Sequence, residues 1–443
     1  MERRKLGKLG KLGKLGLPSG VGLVVSNVIG VGVLTNTGYM AVHLGPRAIL
    51  LAWAVGGAMA MAGACCYGAL ARAIPRSGGE YRFLSDLLHP FFGTLAGWTS
   101  LLLGFSAPVA LASSTAGPFF ATVVPQAPPV VTGAVLIVLA TASQAFDARW
   151  SKGTQDALAL LKGLLIVGFI VVGLVLGAHA VPSWRAPEAP PSPPVRPFAV
   201  SLVYIAFAFS GWNAVVYAAE EFRDPGRTVP RAMLWGTALV TVVYLAVNAI
   251  FVANLSGDRL AGWLGQDTTR ITLAHLLMEK LAGPGAARAT SLCVVLSLAS
   301  SVIAMTMAGP RVAAAMAAEG FLPRALAGRE GRPPVWSVLL QSSLALVLLA
   351  TNSFEALLRS VGVLLTLVSA LTVALVLRLR FGRTPFLRPS LLVVAAAIVY
   401  LAGSAWMLWY TLTEDPRALL WLVVVAVAAA IAYGSMARRR PAV

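Results

Sequence analysis

The chain has 443 residues, 58% of them hydrophobic and only 12% charged, with a mean hydropathy of +0.79, and no water-soluble core hides that much apolar surface. The formal net charge of +18 reads as a topology signal rather than a nucleic-acid surface, because membrane proteins collect lysine and arginine on one side. Neither a G-x-x-x-x-G-K-[ST] phosphate loop nor a G-x-S-x-G nucleophile turn occurs; the chain is expected to carry no catalytic residues and no cofactor, so any transport would be secondary.

Residues 1–16 are a basic tail in which "KLGKLGKLGKLG" repeats every three residues, placing Lys5, Lys8, Lys11 and Lys14 just before the first apolar run. They read as a positive-inside anchor, with attraction to anionic lipid as the sharper alternative. Apolar runs long enough to cross a bilayer, about 17 to 25 residues each, can be drawn twelve times. They lie at 17–41, 46–71, 91–120, 129–146, 155–178, 198–219, 232–254, 287–316, 334–352, 356–378, 388–411 and 417–437, and are called segments 1 to 12 below. The expected fold class is therefore all-α, a polytopic membrane protein with twelve transmembrane helices. If the N-terminus is inside, 25 lysines and arginines fall on the cytoplasmic side and nine outside, and Lys162, within segment 5, is the one left over. Both termini are then cytoplasmic.

Segment 1 contains "SNVIGVGVLTNTGYM", Ser26 to Met40, interrupted by Gly30, Gly32 and Gly38. Unpaired backbone groups are costly in hydrocarbon, so a glycine-broken helix persists only where protein or a water-filled cavity receives them. Segment 6 has a second interruption, "AFAFSGWNAVVYAAEE", with Ser210, Gly211 and Asn213 midway along an apolar run. Paired broken helices in corresponding positions suit an amino acid head group: freed N–H groups around Gly30 to Val33 meet the carboxylate, and freed carbonyls near Ile29 and Phe207 to Ser210 meet the ammonium. Plain close packing of small residues is the alternative. Neither break contains Asp, Glu, Lys or Arg, while Val31, Phe207, Phe209 and Trp212 supply apolar surface. A neutral substrate side chain is expected.

Lys162 in segment 5 lies eight residues, roughly 12 Å along a helix, from Thr154. It either snorkels to the interface or faces the bundle interior and marks an ion or proton pathway. "IPRSGGEYRFL", Ile74 to Leu84, and "EEFRDPGRTVPRA", Glu220 to Ala232, read as loops shaped by turn and capping chemistry, with a cytoplasmic gate latch as the alternative. "VPSWRAPEAPPSPPVRP", Val181 to Pro197, reads as a stiff outside linker between two possible repeats, segments 1–5 and 6–10. The corresponding units are the tail 1–16, a first repeat over 17–180, the linker 181–197, a second repeat over 198–380, and segments 11–12 with the C-terminus over 381–443. Cys65, Cys66 and Cys293 sit in apolar runs and read as packing residues. His43, His89, His179 and His275 are scattered, so no metal site is expected.

At these residues the chain resembles the amino acid-polyamine-organocation transporters, most closely their L-type branch. "SNVIGVG" from Ser26 is similar to the family's segment 1 core. "GACCYGALARAIPRSGGEY", Gly63 to Tyr81, is similar to its segment 2 and following loop. "FAFSGWN", Phe207 to Asn213, with "AEEFRDPGRTVPRA", Ala219 to Ala232, is similar to its segment 6 and next loop, the most specific of the three. The resemblance implies a 5+5 inverted repeat of the LeuT type with discontinuous helices 1 and 6, moving an amino acid by alternating access. By position it implies head-group contacts from Ile29, Gly30, Val31 and Gly32, and from Phe207, Ala208, Ser210, Gly211 and Asn213, with Phe207 as an aromatic gate. Lys162 matches a lysine that occupies the place of a sodium ion in sodium-coupled relatives and bridges to segment 8, where Ser301 is its partner. Val31 stands where many relatives have a small or hydroxyl residue, and Ala69 replaces an acidic one. The outside stretch 122–128 has no cysteine, so no disulfide-linked subunit is expected. The expectation is a cell-membrane permease for neutral L-amino acids, by proton symport or exchange. A polyamine or cationic amino acid carrier would need carboxylates near the breaks, and a non-transporting scaffold or receptor would need neither break.

Overall fold

The computed structural model of the chain describes residues 15–30, 32–145, 152–180, 182, 184, 186–187, 194–255, 259–318, 322–328, 334–382, 388–416 and 418–437. Among these the fold is all helix, with one isolated backbone bridge between Leu15 and Phe222. Six helices are long and apolar enough to cross a membrane: Pro46–Ala73, Pro90–Ala121, Pro225–Asn254, Leu273–Ala318, Phe354–Phe381 and Leu391–Glu414. A seventh candidate is the pair Leu17–Val28 and Gly32–Met40, bent by 43°. Shorter apolar helices fall on segments 4, 5, 6, 9 and 12. Residues 1–14 of the basic tail and Val31 lie outside the described residues.

The outer surface is that of a protein in lipid. In segment 5, the helix Lys152–Leu176 exposes Leu160, Leu164, Val167, Val171 and Leu174, a stripe at helical spacing, while Ile166 and Phe169 are buried. Lys162 is two residues past Leu160, about 200° around the helix, so it leaves the stripe and turns inward.

Three local readings change. Gly38 does not break segment 1: it lies within the helix Gly32–Met40, where the absent side chain lets the Arg270 backbone pack against it. The stretch after segment 2 is not loop throughout, because Gly79–Leu87 is a helix with Phe83, Leu84 and Leu87 buried; its apolar residues recur at helical spacing between charged ones. The helices of segments 7 and 8 start earlier than their apolar runs, at Pro225 and Leu273, the latter kinked at Gly283. In segment 3 the helix passes through a π-helical stretch, Ser100–Ser106, and Ser106 Oγ donates to Leu101 O five residues back at 3.0 Å.

At the end of the bundle where segment 1 finishes at Met40, Arg359 pairs with Glu355 at 3.1 Å and Glu414 at 2.8 Å. Tyr204 donates to Glu355 at 2.7 Å. These contacts tie segments 6, 10 and 11. Beside them Tyr39 stacks on Phe354, and the Arg270 guanidinium lies 6.0 Å from the Tyr39 ring centre.

Candidate functional site

Segment 1 stops being helical where the sequence places glycine. Its first half ends at Val28; Ile29 is extended (ψ 105°) and its N–H closes the last turn on Val25 O at 3.0 Å. The second half starts at Gly32. In segment 6 the helix Val195–Ala208 gives way to a turn over Phe209 to Asn213, and Ala214–Tyr217 follows. The two breaks cross. A Cβ on Gly32 would lie 2.6 Å from Ala208 Cβ, and Gly211, at φ +103°, leaves no room for a side chain beside the Asn27 carbonyl. Both glycines are thus required by packing, and Gly211 also by its positive φ.

The freed carbonyls have a partner that sequence reasoning missed. The Tyr244 hydroxyl in segment 7 lies 2.7 Å from Val28 O and 3.1 Å from Ala208 O, serving the last carbonyl of each first half-helix. Its ring is buried against Trp53 and Phe209. In "VTVVYLAVN" it reads as one more apolar position, although a buried tyrosine needs a partner for its hydroxyl. Phe207 O is likewise engaged, by Ser210 N at 2.9 Å.

Against the segment 1 break lies a partly open cavity. Ile29, Gly30, Leu34 and Thr35 line it from segment 1, Thr115 and Phe119 from segment 3, Lys162, Leu165 and Ile166 from segment 5, and Val294, Ser297, Leu298 and Ser301 from segment 8. Lys162 Nζ donates to Ser301 Oγ at 2.7 Å, and Ser301 Oγ donates to Ser297 O at 3.2 Å. Ser297 Oγ is buried without a partner on this wall. Among the described residues no acidic side chain lines the cavity. Among the described residues no cluster of His, Cys, Asp and Glu is suited to a metal.

Of the residues singled out from sequence, Ile29, Gly30, Lys162 and Ser301 come together on this cavity. Lys162 turns to segment 8 rather than snorkelling. Gly30 borders open space, whereas Gly32 is filled by Ala208. Phe207, Ala208, Ser210 and Gly211 form the crossing beside the cavity and are absent from its wall. Val31 lies outside the described residues. Asn213 turns away: its amide donates to Glu80 Oε1 at 2.6 Å. The wall from segment 3 and Ser297 carried no signal in the sequence beyond membership of an apolar helix.

Comparison with known proteins adds an independent line. The family model described as amino acid permease matches residues 15–436. The chain is 28% identical over 413 residues to the large neutral amino acids transporter small subunit 2 of Homo sapiens, covering 90% of this chain and 76% of that protein. It is 26% identical over 419 residues to the Asc-type amino acid transporter 1 of Mus musculus, again 90% and 76%. It is 24% identical over 427 residues to the serine/threonine exchanger SteT of Bacillus subtilis, covering 94% and 95%.

Proposed function

Because this chain belongs to the amino acid permease family, within the amino acid-polyamine-organocation superfamily and on its L-type side, we propose that it moves neutral L-amino acids by alternating access around the crossing of segments 1 and 6. It is a multi-pass membrane permease. The proposed architecture has twelve spans, with repeats over 17–180 and 198–380 joined by the linker 181–197. Both termini are cytoplasmic on this reading, which the 25 to nine charge distribution supports. The protein would sit in the cell membrane and work without a disulfide-linked subunit.

The observation that carries the substrate class is the cavity wall. Among the described residues Lys162 is its one ionisable side chain, and apolar Leu34, Phe119, Leu165, Ile166, Val294 and Leu298 make up much of the rest. Arginine or putrescine would bring a second cation beside Lys162 with no counter-charge. A glutamate side chain would be desolvated on a mostly apolar wall, where the Lys162 amine already donates to Ser301. A neutral amino acid meets neither cost. Its head group fits the break itself, with carboxylate toward the N–H groups that open the helix Gly32–Met40 and ammonium toward carbonyls at the end of the first half. Burying each methylene contributes about 0.8 kcal/mol, too little for strict choice among leucine, isoleucine, valine and methionine, so specificity is broad. The names of the relatives, two neutral or Asc-type amino acid transporters and one serine/threonine exchanger, fit this reading.

The test is uptake into liposomes containing the purified protein, with a labelled neutral amino acid and unlabelled competitors. Leucine, alanine or serine should inhibit, while arginine, glutamate and putrescine should not; the reverse pattern refutes the substrate class. Uptake that needs amino acid inside the vesicle marks exchange, and uptake driven by an imposed proton gradient marks symport.

A further inference from the structure

The carboxylate of Glu80 is 5% exposed and takes hydrogen bonds from three side chains on two other elements. Tyr67, in the helix Pro46–Ala73, donates to Oε1 at 2.9 Å, and Asn213 donates to the same oxygen at 2.6 Å. The Tyr217 hydroxyl donates to Oε2. Two carboxylate oxygens offer about four acceptor positions, and bonds to an ionised acceptor are stronger than neutral ones. Burying this charge is tolerable because the three donors are in place. Two of them, Asn213 and Tyr217, belong to the end of segment 6 that follows the break.

The residues around Glu80 hold the same piece of chain. Ser77 Oγ accepts from the Glu220 N–H at 3.1 Å. Gly79 sits at φ +59°, and a Cβ there would lie 2.5 Å from the Tyr217 ring, so its bare backbone is the floor on which that ring rests. Trp212 packs edge-on to Tyr67, ring centres 4.7 Å apart. The motif "SGGEY", Ser77 to Tyr81, thus holds residues 213–220 through three of its residues, Ser77, Gly79 and Glu80. From the other side, Leu15 pairs through its backbone with Glu221 and Arg223 at 3.0 and 3.1 Å. The half of segment 6 beyond its break is a single helical turn and a 3₁₀ turn, too short to hold itself in place.

From this we infer that Glu80 is a positioning residue: its carboxylate clamps the second half of segment 6 through Asn213 and Tyr217 and so keeps the basic end of the bundle shut over the cavity. The clamp acts by hydrogen bonding, and its release frees residues 213–221 to swing away from segment 2. The inference rests on the transport reading above, since a shut end has meaning only for a protein that opens.

The experiment uses the full chain in membrane vesicles, with Cys65, Cys66 and Cys293 replaced and a single reporter, Leu298→Cys, on the cavity wall. A membrane-impermeant maleimide is applied from each side in turn, without substrate. Glu80→Ala should raise the labelling rate from the basic-end side by about tenfold, and Tyr217→Phe, which loses one bond to a charged acceptor, by severalfold. Glu80→Gln should stay within about twofold of the parent. Its oxygen still accepts from Tyr67 and Asn213, and its amide can donate to the Tyr217 hydroxyl. Unchanged labelling in both Glu80→Ala and Tyr217→Phe overturns the clamp. Glu80→Gln labelled as fast as Glu80→Ala overturns it too, by giving the role to the charge. Should Glu80→Ala not reach the membrane, Tyr217→Phe decides, because it removes only a hydroxyl. Failure of the neutral-substrate competition with this labelling response intact would refute the substrate class and leave the clamp standing.

Discussion

Replacing Gly32 by alanine places a methyl carbon 2.6 Å from Ala208 Cβ and 2.9 Å from Ala208 Cα. Non-bonded carbons rest about 3.5 to 4.0 Å apart, so the two segments must part by roughly 1 Å. Neither obstacle is the free end of a flexible side chain: one is a methyl fixed to the backbone and the other is backbone. Overpacking of this kind costs about 1 to 3 kcal/mol. The displacement also reaches Tyr244, whose hydroxyl already stands 3.1 Å from Ala208 O. Moving that carbonyl out by a further 1 Å, about the displacement derived above, takes it beyond hydrogen-bond range. In enzymes, misplacing a binding group by about 1 Å costs up to about a hundredfold in rate. Gly32→Ala should therefore reach the membrane in normal amount and lower uptake into liposomes by at least about tenfold. Adding Ala208→Gly removes the nearer obstacle and leaves the Cα, so the double variant should recover part of the loss and not all of it. Wild-type uptake in Gly32→Ala, or no recovery at all in the pair, would refute the crossing of the two breaks as the source of the effect.

Lys162→Met keeps an unbranched four-atom stem and removes the amine bonded to Ser301. Uptake should fall more than about tenfold with surface delivery unchanged, and undiminished uptake would return Lys162 to a packing role. Tyr244→Phe strips the donor from both Val28 O and Ala208 O. It should cost about 1 to 3 kcal/mol, read as a lower melting temperature of the detergent-solubilised protein together with severalfold slower uptake; an unchanged melting temperature would show that water replaces the hydroxyl.

The parts of this arrangement that the sequence exposed are those that violate a local rule. Gly30, Gly32 and Gly211 stand in apolar runs where a helix former belongs, and Lys162 is a cation where the bilayer is driest. Gly38 broke the same rule and yet is helical: one glycine in a helix costs only about 1 kcal/mol, and what fixes its role is the Arg270 backbone, far along the chain. Ser301 was found only through family resemblance, because a serine in a helix carries no mark of the lysine that reaches it. Tyr244 and Glu80 obey every local rule. Tyr244 looks like any aromatic in an apolar run, and Glu80 like a polar residue near a turn. Their partners lie 13 to 216 residues away, and side-chain periodicity says which face of an element is buried, not which residue of another element it meets.

The pattern of ties across the breaks makes one further physical point. The half-helices on the basic side, Leu17–Val28 and Ala214–Tyr217, are joined by the backbone pairing of Leu15 with Glu221 and Arg223. The half-helices on the opposite side, Gly32–Met40 and Val195–Ala208, are joined by Asn36, whose amide donates to Tyr204 O at 2.7 Å. Each of these ties binds a half of segment 1 to the half of segment 6 on the same side. The two breaks lie side by side, with a coupled pair of half-helices on either side of them and the Tyr244 hydroxyl between the two. A pair joined in this way swings together at the cost of the contacts it makes with the rest of the bundle, and on the basic side those contacts include the bonds to Glu80 and Ser77. The free energy of opening that end is then set outside the cavity, so substitutions in the Ser77 to Tyr81 motif should shift which way the site faces without touching any residue that lines it.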